Sequence, residues 1–215
     1  MAVTAVKIKL CGVTDPTNAV AAVELGVDFL GLNFWPGSPR FVDVERALEI
    51  AGAVGGRVPL VGVFVNAGTA EVGEIAERVG LDFLQFSGDE GPEAVAPFAS
   101  RAIKAFRCGG LPGRGETAAY GEVWGILVDA AHDSLYGGTG RAWDYGVATR
   151  GAAELPGRLF LAGGIGPDNA RRAAGARPYA LDVCSRVESA PGIKDLELLR
   201  RLLQEVRHGE TPTPP

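Results

Sequence analysis

The chain is short of the residues that most often announce a function. Its three cysteines, Cys11, Cys108 and Cys184, are too few and too irregularly spaced for a disulfide framework. No CxxC pair or Cys/His cluster offers a zinc site, so free thiols are expected and no metal. Only two histidines are present, His132 and His208, both in polar or terminal sequence, which argues against a His-based triad. No run of Lys or Arg forms a basic stripe, and the net charge is −5, so neither nucleic acid nor an anionic membrane is an expected partner. No uncharged apolar stretch approaches the roughly 18 residues of a membrane span. The amino terminus lacks a signal-peptide pattern, and a cytoplasmic location is expected.

What the chain does have is apolar content, 47% of 215 residues, enough for one barrel-sized core. Short β-branched runs alternate with Ala/Leu/Glu-rich amphipathic ones, the pattern of βαβ units on a parallel sheet. Strands are predicted at 6–11, 28–34, 59–65, 82–86, 102–107, 123–129, 158–162 and 179–184. Helices are predicted near 16–25, 43–54, 69–79, 91–100, 168–175 and 195–207. Gly109 to Gly115 reads as a Gly/Pro-rich loop, and Ala130 to Trp143 as a longer one. Eight strands and no GxGxxG turn after the first favour a closed (β/α)8 TIM barrel over a doubly wound open sheet. The barrel is expected to occupy residues 1–208, with 209–215 a disordered tail.

Two reactive side chains close predicted strands. Cys11 ends VKIKLC and Asp129 ends VWGILVD, and in a barrel both would converge on the carboxyl-terminal mouth. Taken singly, each has a plainer reading: a strand-end Cys as a buried inert thiol, a strand-end Asp as a cap or ion-pair member.

The motifs carry more than either residue. KLCGVT at 9–14, FWPGSPRFV at 34–42, VGVFVN at 61–66, GGTGRAWDY at 137–145, LAGGIGPDNA at 161–170 and LDVCSRVESAPGIKD at 181–195 stand in order along the chain. From Lys7 to Asp195 the sequence resembles the phosphoribosylanthranilate isomerase family of tryptophan biosynthesis. The resemblance implies a cofactor-free and metal-free Amadori rearrangement of N-(5-phosphoribosyl)anthranilate, a small phosphosugar–anthranilate substrate, to 1-(2-carboxyphenylamino)-1-deoxyribulose 5-phosphate. It leaves the oligomeric state open.

Such a rearrangement needs an acid to open the furanose ring and a base to take the proton from carbon two. Asp129 would have to be protonated to serve as the acid, a state that apolar neighbours such as Ile126, Leu127 and Val128 would favour. Cys11 would have to be a thiolate to serve as the base, which a cation such as Lys7 or Lys9, or helix amides, could promote. By the same resemblance Arg40 binds the anthranilate carboxylate, for which a planar fork is suited. Gly163 and Gly164, followed by a helix start at Pro167 and Asp168, have the form of a phosphate loop, with Ser185 and Arg186 beside it and Thr139 of GGTG as a further ligand contact. A plain tight turn remains the other reading of the glycine pair.

Two departures bear on the substrate. Where the family has SSGVE this chain has CSRVE, so Cys184 stands for Ser and Arg186 for Gly; where it has QLHG, Ser87 stands for His. A side chain at a phosphate-loop glycine is strained if φ is positive, by roughly 1–2 kcal/mol. These changes keep two alternatives open: a divergent relative acting on another aminated or unphosphorylated sugar or aryl acid, and a non-catalytic barrel that binds a small anion.

Overall fold

The structure is a computed structural model that describes residues 5–107, 112–129, 155 and 157–210. Eight parallel strands close into a barrel: β1 (Lys7–Cys11), β2 (Phe29–Asn33), β3 (Leu60–Phe64), β4 (Phe83–Phe86), β5 (Ala102–Arg107), β6 (Gly125–Asp129), β7 (Arg158–Ala162) and β8 (Ala180–Val183), with β8 pairing back onto β1. Helices α1 (Pro16–Leu25), α2 (Val44–Val54), α3 (Thr69–Val79), α4 (Pro92–Val95), α5 (Arg114–Ala118), α6 (Ala170–Gly175) and α7 (Leu196–Glu210) join them. A small hairpin, β9 (Glu188–Ala190) and β10 (Ile193–Lys194), follows β8. Among the described residues no helix is long and apolar enough to cross a membrane.

The predicted strands and the first three helices stand within a residue or two of their expected bounds. Two helices differ. The fourth leaves α geometry after Val95 and runs on as a 3-10 turn over Ala96–Arg101, because Pro97 has no amide to donate to the carbonyl four residues back. In the stretch read as loop, α5 begins at Arg114, and the Gly113 amide donates to Glu116 Oε2 at 2.8 Å. The last helix reaches Glu210, two residues into the expected tail.

Local chemistry fixes the ends of these elements. Asp15 and Asp43 accept from the amides of Asn18 and Arg46 at 2.7 and 2.8 Å, capping α1 and α2. At the barrel floor the same device occurs twice, in GVDFL (26–30) and GLDFL (80–84). In each, the glycine ends a helix in the left-handed region (φ 98° and 74°). The aspartate then accepts from the first amides of the preceding strand, Ile8 and Leu60, at 2.8 Å each. The phenylalanine of each turns into the barrel, where Phe29 and Phe83 meet Trp124, Phe160 and Tyr179. Side chains of opposite parity, among them Ile8, Leu10, Leu30 and Leu161, pack outward against the helices.

Candidate active site

Strand parity decides what reaches the mouth. In β1, Lys7, Lys9 and Cys11 share the inward face, 3.3 Å of rise per residue apart along the strand. Lys9 is wholly buried at mid-height, and its Nζ donates to Asp182 Oδ1 of β8 at 2.6 Å. Cys11 ends β1, and Cys184 directly follows β8, one position beyond the last register pair, Leu10 and Val183. Gly31 of β2 makes the room: a Cβ there would lie 3.1 Å from Cys11 Sγ and 3.3 Å from Lys9 Nζ.

The thiol of Cys11 is held well below its ordinary pKa, which favours its ionised form. A hydrogen bond from the Cys184 thiol is the largest cause; burial opposes it, and the positive charges of Lys9 and Lys194 reinforce it. Cys184 is driven the opposite way, well above its usual value, because it donates to that thiolate and is itself desolvated. Burial pulls Lys9 down, but the charges of Asp182 and Cys11 outweigh it and raise the ammonium above its usual range. Asp182 is pushed up to about 7, chiefly by burial, with the charges of Cys11 and Asp129 adding to it and Lys9 opposing.

Of the cations expected beside Cys11, Lys9 is there and Lys7 is not. Lys7 lies two residues further down and turns to the floor, where its Nζ meets Asp28 Oδ1 at 3.5 Å and sits 5.9 Å from the Phe29 ring centre. The loop amides that follow Cys11 are engaged elsewhere: those of Gly12 and Val13 both donate to Gly31 O, at 2.9 and 3.1 Å.

A cation the sequence reading passed over takes that role. Lys194 of β10 is fully buried, and its Nζ donates to Cys11 O at 2.5 Å and to Glu188 Oε1 at 2.6 Å. Glu188 joins this cluster to Arg40, whose Nε and Nη2 donate to its carboxylate at 2.9 and 2.6 Å. Burial raises the Glu188 carboxyl, but Arg40 and Lys194 outweigh it and hold it ionised. Arg40 therefore arrives at the mouth from the loop after β2 with one edge fixed and its Nη1 making no hydrogen bond among the described residues. Gly12, at φ 70°, lets the Arg40 stem pass: a Cβ there would lie 2.5 Å from Arg40 Cδ.

Asp129 ends β6, half-buried, in register with Arg107 of β5 and Ala162 of β7. Its apolar setting is narrower than the flanking residues suggest. Ile126 and Val128 have outward parity and belong to the outer core, and Leu127 alone lies in the barrel interior.

The loops after β7 and β8 abut. Gly163 and Gly164 have φ 97° and 61°, backbone that a side chain rarely adopts. The Asn169 side chain ties this loop together, accepting from Gly166 N at 2.9 Å and donating to Gly164 O at 3.0 Å. Ser185 and Arg186 form a 3-10 turn packed so close that a Cβ on Gly166 would lie 2.9 Å from Arg186 Cβ. Arg186 does not have positive φ, so the strain feared at this position does not arise. Its guanidinium donates to Asp168 Oδ1 at 2.6 Å. Ser87 accepts from Gln85 Nε2 at 2.9 Å at the rim of β4. Thr139 and the loop from Ala130 to Trp143 lie outside the described residues.

Cys11, Arg40, Asp129 and the paired glycines thus meet on one rim from different strands, while Glu188, Lys194 and Asp182 are additions. All three were visible as charges inside strand-like or turn sequence. Asp182 stands two before Cys184, as Lys9 stands two before Cys11, and Glu188 and Lys194 flank the Pro191–Gly192 turn.

Comparison with known proteins agrees with this geometry. The sequence model of N-(5'-phosphoribosyl)anthranilate (PRA) isomerase matches residues 8–205. An N-(5'-phosphoribosyl)anthranilate isomerase of Pseudomonas aeruginosa (strain UCBPP-PA14) is 44% identical over 207 residues, spanning 94% of this chain and 96% of its own. The crystal structure of phosphoribosyl anthranilate isomerase from Thermotoga maritima superposes with a TM-score of 0.86 at 32% identity, covering 94% of this chain and 99% of its own. A further structure of such an isomerase, in complex with reduced 1-(o-carboxyphenylamino)-1-deoxyribulose 5-phosphate, superposes at 0.80 with 30% identity, covering 94% and 99%. A closed eight-stranded barrel, a family model matching residues 8–205 and relatives alike over nearly their whole length lead to one conclusion: the chain belongs to the phosphoribosylanthranilate isomerase family.

Proposed function

We propose that this barrel carries out the Amadori rearrangement of N-(5-phosphoribosyl)anthranilate with Asp129 as general acid and Cys11 as general base. What supports the reading is a thiol at the end of β1, its ionised form favoured by Lys9 and Lys194, on the same rim as a half-buried carboxyl at the end of β6. Asp129 donates its proton to the furanose ring oxygen as the bond from that oxygen to carbon one breaks, and the nitrogen lone pair forms the Schiff base. The Cys11 thiolate then removes the proton from carbon two, the electrons move to the iminium nitrogen, and the enol-amine tautomerises to the ketone. Each proton transfer is worth about 10²–10⁴ in rate when the group is well placed.

Around that pair, Arg40 takes the aryl carboxylate on the edge that Glu188 leaves unused. The amides of the loop at Gly163 and Gly164, with Ser185, take the phosphate, Arg186 borders it, and Thr139 is a further ligand contact. A carboxyphenyl group and a phosphate on one ligand are what the relative's complex also holds. The divergent-substrate alternative rested on strain or blockage at Arg186; negative φ and a carboxylate partner for its charge favour the family substrate instead.

The test is conversion of N-(5-phosphoribosyl)anthranilate by the purified chain, followed by chromatography, beside Asp129→Asn. The wild type is expected to turn over and the variant to fall by about 10²–10⁴ while still binding substrate. Loss of binding with the turnover number intact would make Asp129 a ligand contact and not the acid.

A further inference from the structure

We propose that Cys11 and Cys184 are a peroxide-sensitive thiol pair that closes to a disulfide and reversibly switches the enzyme off. The disulfide itself rests on geometry, and the switching rests on Cys11 being the base.

Cys11 ends β1 and Cys184 directly follows β8, each one position beyond the paired Leu10 and Val183 of these adjacent parallel strands. Such neighbours lie about 4.8 Å apart, inside the roughly 4.4–6.8 Å between Cα atoms that a disulfide spans. Their sulfurs crowd neighbouring glycines at the mouth: a Cβ on Gly31 would lie 3.1 Å from Cys11 Sγ, and one on Gly12, the residue after Cys11, 3.2 Å from Cys184 Sγ. Lys194 reaches both, donating to Cys11 O and lying 3.9 Å from Cys184 Sγ. Glu188 Oε1, at 3.8 Å, is the other polar neighbour of Cys184. Both cysteines remain partly exposed, so a small oxidant can reach them. The family motif has serine at position 184, which could donate the same hydrogen bond but could form no such bridge.

The chemistry needs one equivalent of hydrogen peroxide. The Cys11 thiolate attacks one peroxide oxygen; the O–O bond breaks, an S–O bond forms, and the departing hydroxide takes up a proton as water. Sulfur has lost two electrons and is now a neutral sulfenic acid. Cys184 is then no longer held protonated by an adjacent thiolate, and Lys194 and Arg40 favour its ionised form. The Cys184 thiolate attacks Cys11 sulfur, the S–O bond breaks, and hydroxide leaves to become a second water. A dithiol such as dithiothreitol reverses the process by exchange. Without a partner thiol at 184, a second peroxide would carry Cys11 to sulfinic acid, which dithiothreitol does not reduce.

The experiment treats the full chain with a several-fold molar excess of hydrogen peroxide, then maps tryptic peptides by mass spectrometry and measures isomerase rate before and after dithiothreitol. A peptide joining Cys11 to Cys184, lighter by two hydrogens, is expected, with a rate that falls in proportion to the cross-linked fraction and returns on reduction. In Cys184→Ser, normalised to its own untreated rate, the loss is expected to persist after dithiothreitol, with Cys11 as sulfinic acid. A bridge from Cys11 to Cys108, sulfinic acid at Cys11 beside an untouched Cys184 in the wild type, or an unmodified Cys11 overturns the pairing. Equal recovery of Cys184→Ser and wild type overturns it as well. A Cys11–Cys184 bridge that leaves the rate unchanged retires instead the base assignment, and the switch with it.

Discussion

The two ends of the barrel are built from the same strands and do opposite things. At the floor, Phe29, Phe83, Trp124, Phe160 and Tyr179 fill the interior, their ring centres 4.0–6.3 Å apart, with the cations of Lys7 and Arg158 lying over their faces. At the mouth, two to four residues further along, the same inward positions carry Lys9, Cys11, Asp182 and Cys184, joined by Lys194, Glu188 and Arg40. Burying aromatic surface stabilises the fold. Burying several charges does not, because desolvation opposes their mutual attraction. The mouth therefore holds a thiolate in place on stability supplied by the floor, and the division can be broken from either end.

The largest effect is expected at the mouth, and on rate alone. Cys11→Ala removes the base from a position with room for a small residue, so turnover should fall by about 10²–10⁴ or more. Serine should be nearly as poor, its hydroxyl being far less acidic. Thermal melting followed by circular dichroism should show either variant folded. Near-normal turnover in either would dissolve the distinction between the two ends.

The converse change lies at the floor. Phe160 is fully buried and touches Phe29, Trp124 and Tyr179 with ring centres 5.5–6.0 Å away. Phe160→Ala should lower unfolding free energy by about 3–5 kcal/mol in a denaturant titration. Its kcat/KM at a temperature where it remains folded should match the wild type. A comparable fall in kcat/KM would show that the floor shapes the mouth through the strands rather than merely supporting it.

The floor was also the more legible end. Five of its rings stand in or beside β-branched runs, so the barrel could be read from alternation and strand count. The mouth was legible where single residues closed a strand, as with Cys11 and Asp129, and illegible where function arises between segments distant in sequence. Lys7 and Lys9 share a face, and only the rise along the strand and the pull of Asp28 separate them. Lys194 lies 183 residues from Cys11 and reaches it because the β9–β10 hairpin folds back over β1. The fourth helix and α5 differ for a nearer reason: Pro97 sits within an otherwise helical stretch, and the Gly113–Glu116 cap sits within Gly/Pro-rich sequence.

Lys194 offers a sharper division within the mouth itself. As a cation beside Cys11 it favours the thiolate, so Lys194→Met should move the Cys11 titration to higher pH. The base is active above that titration. The acid limb of kcat/KM should therefore shift upward in pH, with the loss of rate greatest at low pH and shrinking as pH rises. Arg40 still pairs with Glu188 in this variant, so apparent substrate affinity should change less than the pH profile. A uniform loss at every pH would make Lys194 a brace for the hairpin and leave Lys9 and Cys184 to hold the thiolate.

The smallest effect is expected just outside this cluster, at Arg186. Its ion pair with Asp168 is solvent-exposed on both sides, 48% and 64%, and such pairs contribute roughly 0–1 kcal/mol. Its φ is not positive, so restoring the family's glycine relieves no strain, and the added chain freedom is itself slightly destabilising. Arg186→Gly should lower the melting temperature slightly and leave kcat/KM on N-(5-phosphoribosyl)anthranilate within about fivefold, the equivalent of 1 kcal/mol. Both quantities come from one purified preparation. A poor wild-type rate that glycine improves by a much larger factor would mean that the guanidinium obstructs the phosphate, and that this mouth serves a substrate without one.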